Sequence, residues 1–425
     1  MTATKKLISS TESRARKSWW RRHLGFLAIA GPGLIAANAG NDAGGIATYA
    51  SAGSQFAYRT LFFMVLVTVG LVVVQEMATR LGAYTGKGIM ALVREEFSLR
   101  LTFVAMSALF IANVGLVVTE FAGIGGAFEL FGVSKYISIP ISAVIIWALV
   151  LFGSYKYAER IFLILSLAFF SYPIAAIMAK PHWSQVASNT VAPHFLTSSS
   201  FILLGVALIG TTISPYMQLF AAAGVVDRGI GPDDYRLERI DSIGGAIFAD
   251  VMSIFMIIAT AAAIGGTGPL HSAAQAALAL RPVAGNGAKI LFGMGLLGAS
   301  ALAAGVVPLS TSYALAEAIG TGRSVSRSFR EAPLFLGTFS IQILLGASVA
   351  LLPFNLIGLL ISTQVLQGFI TPIILIFILA LANKKSLLGK AANGRIFRVV
   401  ATVVTISVSL LCGVVLIQTL AGFFT

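Results

Sequence analysis

Apolar segments of about twenty residues, the length a helix needs to cross roughly 30 Å of hydrocarbon, recur along the whole chain. They fall near residues 24–50, 60–79, 101–130, 136–154, 161–179, 200–225, 243–265, 288–318, 333–352, 356–382 and 397–423. A transmembrane barrel would show shorter segments of alternating hydrophobicity instead. With 57% hydrophobic and 11% charged residues among 425, and a mean hydropathy of +0.91, the chain reads as an all-α membrane protein with eleven transmembrane helices. The first run follows a basic leader, residues 1–23, and ends in "IAANAG", a pattern shared with cleaved signal peptides. The many spans that follow identify it as the first membrane helix.

A net charge of +13 would suggest nucleic acid in a soluble protein, but its distribution points elsewhere. All of the 29 Lys and Arg except Arg59, Lys135, Lys180, Arg281 and Lys289 lie in the leader or the even-numbered loops. By the positive-inside rule the N-terminus is expected in the cytoplasm and the C-terminus, after eleven crossings, outside. The basic balance therefore reports contact with a lipid bilayer and no nucleic-acid partner. The single cysteine, Cys412, excludes a disulfide framework or a cysteine-based metal site.

Two spans are interrupted at corresponding places. The first carries "NDAGGI", Asn41 to Ile46, and the sixth carries "GTTISPYM", Gly210 to Met217, where Pro215 removes a backbone donor and disfavours helix at Ser214. Transporters built from two inverted five-helix repeats unwind the first helix of each repeat and place the substrate site at the break. That architecture predicts repeats over residues 24–179 and 200–382, discontinuous helices one and six, and residues 397–423 as an additional helix eleven.

A charge in mid-membrane costs roughly 2.5–3.5 kcal/mol on insertion scales, so each one is a candidate for function. Asp42 lies on the first break, Glu120 near the middle of span three and Asp250 in span seven. Glu76, Glu317 and Glu129 lie towards span ends, where a carboxylate is expected to snorkel or face a loop. Asp42 differs because the adjacent break exposes carbonyls, and a carboxylate with carbonyls and waters suits a hard divalent cation. No zinc motif, nucleophile with its base, or phosphate-cradling glycine loop accompanies a span, so an enzyme is not expected.

The order "GPG", the break at Asp42, "TRLGAYTGKG", "TEFAGIGGA", "GTTISPY" and "TQVLQGFITP" before "NKKSLLGK" resembles the Nramp divalent-metal transporter family over spans one to ten. The family's first break reads Asp-Pro-Gly-Asn, against Asp42, Ala43, Gly44 and Gly45 here; its sixth-span break reads Met-Pro-His, against Ser214, Pro215 and Tyr216. The resemblance implies that the aspartate ligand is kept, while the asparagine and the thioether that selects soft metals are lost. In this respect the chain is most similar to the Nramp-related magnesium transporters. The implied metal-site residues are Asp42, Gly45, Thr211, Ser214, Tyr216 and Gln364, the last matching a tenth-span glutamine that faces the ion in the family. Glu120 and Asn41 are relay or pathway candidates.

Losing the sulfur removes discrimination against abundant Mg2+, which binds through one or two carboxylates and retains several waters. Glycine at position 45 is therefore expected to make room for a hydrated ion, and Met217 is expected to pack. His23, His182, His194 and His271 lie in the leader and loops. Tyr216 and Ala221 stand at the family's sixth-span histidine positions, and of its third-span acidic pair Glu120 survives while Gly123 replaces the second. These departures predict Mg2+ uptake, with Mn2+ also carried, as a partly hydrated ion, without proton coupling or a cofactor, and with a monomer as the expected unit. A proton-coupled Mn2+/Fe2+ importer and an amino-acid transporter of the same fold are the alternatives.

Overall fold

The computed structural model describes residues 40–152, 170–193, 196–321 and 329–421. The leader, the first half of span one with its "GPG", the start of span five, the loop from span eight to nine near Arg323, and His194 lie outside the described residues. The long elements are α1 (Ala43–Phe56), α2 (Leu61–Thr85), α3 (Ile89–Glu96), α4 (Leu99–Leu130), α5 (Lys135–Leu151), α6 (Ser171–Met178) and α7 (Trp183–Val191), then α8 (Ser199–Thr212), α9 (Pro215–Asp227) and α10 (Tyr235–Ile264). Short helical turns between Ala273 and Gly287 lead into α11 (Ala288–Ile319), α12 (Pro333–Ala350), α13 (Leu356–Ala382) and α14 (Arg395–Ala421).

Both motifs are more helical than expected. Helix α1 resumes at Ala43, so Ala43 to Ile46, expected to be unwound, are already helical and the described part of the break is Gly40 to Asp42. Asp42 sets this point: its extended backbone ends the irregular segment and its carboxylate accepts from the Gly45 amide at 2.6 Å, satisfying an otherwise orphaned helix donor. In the sixth span α8 stops at Thr212 and α9 starts at Pro215, leaving Ile213 and Ser214 between them. Pro215 has no N–H to offer the Thr211 carbonyl, and the Ser214 hydroxyl reaches that carbonyl at 3.3 Å while also donating to Gly210.

The interrupted elements lie inside the bundle. Helix α1 packs against α10, α13 and α8; α4 runs along α11; α8 lies on α13; and α14 sits outside, against α13, α8 and α2. Exposed Val399, Val403, Ile406, Leu410 and Ile417 of α14 suit a lipid-facing helix, because lipid imposes no cost on apolar exposure.

Glu76 and Glu317 depart from expectation: both are buried. Glu76 is approached by Arg80 at 3.2 Å and by Arg239 of α10 at 3.3 Å, and the Tyr235 hydroxyl donates to it at 2.8 Å. Arg80 also donates to Asn393 and to the Ala391 carbonyl, 3.1 Å away, and stacks over Phe397. This network explains why α2 runs six residues past the expected end at 79, to Thr85: partnered charges no longer terminate a span. Helix α10 likewise begins at Tyr235 rather than near 243. Glu76→Ala would leave Arg80 buried against a neutral surface, and a loss of about 2 kcal/mol is expected, less than for a fully enclosed pair because Arg239 is half exposed. Thermal unfolding of the detergent-solubilised variant, with Glu76→Gln as the milder comparison, measures it.

Candidate metal site

The N-terminus of α1 gathers two carboxylates. Asp42 Oδ1 accepts from the Gly45 amide and, at 3.1 Å, from Gln364 Nε2 of α13, while Tyr216 of α9 donates to Oδ2 at 3.5 Å. From α4, Glu120 Oε2 accepts from the Ala43 amide at 3.3 Å. Helix N-termini carry partial positive charge and free N–H groups, so they draw carboxylates to them and hold them in place. Two elements far apart in sequence thus aim negative charge at one helix end, which the sequence suggested for Asp42 and left open for Glu120.

Thr211 of α8 donates to the Gly40 carbonyl at 3.2 Å, tying the two breaks together. The Tyr216 carbonyl accepts from Ser310 of α11 at 2.7 Å, and Tyr49 and Thr212 share a hydrogen bond of 3.0 Å. All these groups are buried. Glu120 Oε1 and Gln364 Oε1 are buried without a hydrogen-bond partner among the described residues. They are the oxygens free to face a cation.

Three sequence-derived site residues sit differently from expectation. Gly45 is not beside open space: a Cβ there would come within 2.6 Å of the Gly40 carbonyl and 2.8 Å of the Thr211 hydroxyl. The room expected from losing the asparagine is filled by the backbone of the break and by Thr211. Ser214 is engaged with the carbonyls of Gly210 and Thr211, not with Asp42. Asn41 turns away to α10, accepting from Ser253 at 2.8 Å and donating to the Ala249 carbonyl at 3.4 Å. Met217 is buried, as expected of a packing residue.

A cavity of about 410 Å³ lies between one end of α4 and the neighbouring ends of α5 and α13, lined by Ala122, Gly126, Glu129, Lys135, Tyr136 and Leu356 among others. Ala122 belongs to the same helix as Glu120, two residues away. Sequence reading missed this vestibule because its walls come from helices far apart in the chain.

Residues 33–418 match the model of the family described as natural resistance-associated macrophage protein-like, Nramp. The chain belongs to the Nramp family. It is 27% identical over 405 residues to the divalent metal cation transporter MntH of Ralstonia nicotianae, covering 90% of this chain and 88% of that one. With MntH of Clostridium acetobutylicum it shares 26% over 437 residues, 97% and 96% of the two chains. The fold matches a manganese transporter of Eremococcus coleocola solved with an aromatic bis-isothiourea substituted compound, with a TM-score of 0.78 at 20% identity over 96% of this chain and 89% of that one. It also matches, more distantly, MhsT in complex with L-phenylalanine, with a TM-score of 0.53, 14% identity and coverage of 91% and 97%. Nramp membership makes this chain a membrane transporter rather than an enzyme, and the metal a transported substrate rather than a resident cofactor.

Proposed function

We propose that this Nramp chain mediates uptake of divalent metal cations, with Mg2+ preferred and Mn2+ also carried, as a partly hydrated ion and without proton coupling. The observation that carries this reading is the surroundings of Asp42: among the described residues its carboxylate accepts from the Gly45 amide, from Gln364 and from Tyr216, and Ser214 stands where the family places its methionine. The donors available to an ion there are oxygens, those of Asp42, Glu120, Gln364 and Tyr216, and they offer a soft metal no advantage over Mg2+. Asp42 and Glu120 together balance a double positive charge, which a low-dielectric site requires. Among the described residues the buried oxygens without a partner there are Glu120 Oε1 and Gln364 Oε1, and water completes the coordination. Thr211 and Tyr216 hold the two breaks around the ion, while Gly45 and Ser214 shape the backbone rather than contact it.

The charge asymmetry of the loops supports an N-terminus in the cytoplasm and a C-terminus outside, with five-helix repeats over residues 24–179 and 200–382 and residues 397–423 as an appended helix. In that orientation the cavity above Glu120 opens outward, and an inward potential favours a doubly charged ion by roughly 4.6 kcal/mol per 100 mV. One observation favours proton coupling instead: the approach of Glu120 to the same helix end as Asp42. Proteoliposomes loaded with a pH dye decide between them. Uptake of Mg2+ and Mn2+ is expected to follow the metal gradient and potential, unchanged by an imposed pH gradient; metal-dependent acidification would establish the coupled reading.

A further inference from the structure

We propose that Asp250 anchors a second, separate cation site, one that takes a sodium-sized monovalent cation between α10, α2 and α1 with oxygens from Thr68, Tyr49, Ser253 and Asn41. Asp250 is 2% exposed, in the middle of a membrane helix. Its Oδ2 has no hydrogen-bond partner among the described residues, and no Lys or Arg among them pairs with it. The Thr68 hydroxyl, near the Asp250 carboxylate, donates to the Met64 carbonyl at 2.8 Å, which leaves its oxygen lone pairs to a cation. Tyr49 lies close enough to feel its charge, and the Tyr49 hydroxyl is within reach of Ser253. Ser253 in turn donates to Asn41 Oδ1 at 2.8 Å. Ser253 is one helical turn from Asp250 on α10, so these oxygens lie on the side of the buried carboxylate that faces α1 and α2, and the divalent site does not use them.

A lone buried carboxylate is too costly to leave charged and uncompensated at this depth, so it is met by a proton or by a cation, and the oxygens beside it favour the cation. Neutral hydroxyl and amide oxygens are hard donors, suited to an alkali or alkaline-earth cation rather than a soft metal. Charge then decides between these classes. At the α1 terminus Asp42 and Glu120 converge and match a divalent ion, whereas Asp250 supplies a single negative charge and matches a monovalent one. Asn41 adjoins Asp42 in the chain, so a cation held here would also order the residue that precedes the divalent ligand.

The test uses the purified full chain in detergent, comparing thermal unfolding and 22Na+ binding in NaCl with unfolding in N-methyl-D-glucamine chloride. For the parent, NaCl is expected to raise the midpoint by about 2–4 °C at saturation, with measurable 22Na+ binding. Asp250→Asn should abolish both, and Ser253→Ala and Thr68→Val should weaken sodium affinity by about tenfold each. Asp42→Ala should keep the sodium response while losing the response to Mn2+, which separates failure of this site from failure of the divalent one. A parent indifferent to sodium overturns the proposal, as does Asp250→Asn binding sodium like the parent. Should Asp250→Asn not fold, unaltered sodium affinity in both Ser253→Ala and Thr68→Val overturns it equally.

Discussion

Asp42→Asn and Asp42→Ala are each expected to lower Mg2+ and Mn2+ uptake into proteoliposomes by about 100-fold or more, equivalent to roughly 2.7 kcal/mol. The two substitutions fail for reasons that can be told apart. Asparagine keeps an oxygen that can accept from the Gly45 amide, so it preserves the cap at the start of α1 and removes only the charge. Alanine removes both, adding a stability loss of about 0.5–2 kcal/mol. Equal transport defects with a lower unfolding midpoint for the alanine variant alone would locate the defect in the missing charge. Normal transport by Asp42→Asn would remove Asp42 from the site, whatever the alanine variant did. Glu120→Gln should give a smaller loss, because Glu120 is held at the helix end by a longer bond, 3.3 Å against 2.6 Å for Asp42.

The positions of the spans were largely legible because each depends on local composition: the lengths of α4, α12 and α13 follow directly from their apolar runs. What composition could not show was pairing across the chain. Arg80 looks like the end of a span until Glu76, Arg239 and Asn393 are seen around it, since those partners lie up to 313 residues away. The site divides in the same way. Asp42 and the two breaks were visible because a charge is costly in mid-membrane and the breaks fall at corresponding places one repeat apart, and Gln364 was visible through resemblance. The approach of Glu120 to Ala43 and the turning of Asn41 towards Ser253 depend on helix packing, which periodicity alone leaves undetermined. Gly45 shows the limit most clearly. The absence of a side chain reads as space in a sequence, yet here the backbone carbonyl of Gly40 and the Thr211 hydroxyl occupy that space.

Gly210→Ala is expected to be the most disruptive small substitution in the bundle. Gly210 sits one turn before the sixth-span break, on the face of α8 that packs against α13, where a Cβ would come within 1.9 Å of the Gln364 carbonyl and 2.6 Å of the Gly368 amide. Both obstacles are backbone atoms of one helix, so no rotamer change relieves the clash and α8 must move away from α13 as a unit. The expected destabilisation is at least about 3 kcal/mol, the upper end for overpacking, read as a fall in the unfolding midpoint and in folded yield. Transport by the folded fraction should fall too, because the displaced backbone carries Gln364, which donates to Asp42, and Thr211, which ties the two breaks together. Gly44→Ala provides the contrast. The three atoms its Cβ would meet first all belong to the Gln364 side chain, with Nε2 at 2.0 Å, which can swing aside. That variant should fold near normally yet lose part of its divalent-ion affinity, since the swing breaks the Gln364 bond to Asp42. Parent-like stability for Gly210→Ala would mean that α8 and α13 are not held as closely as this packing requires, and the link between the sixth-span break and the tenth span would have to be drawn elsewhere.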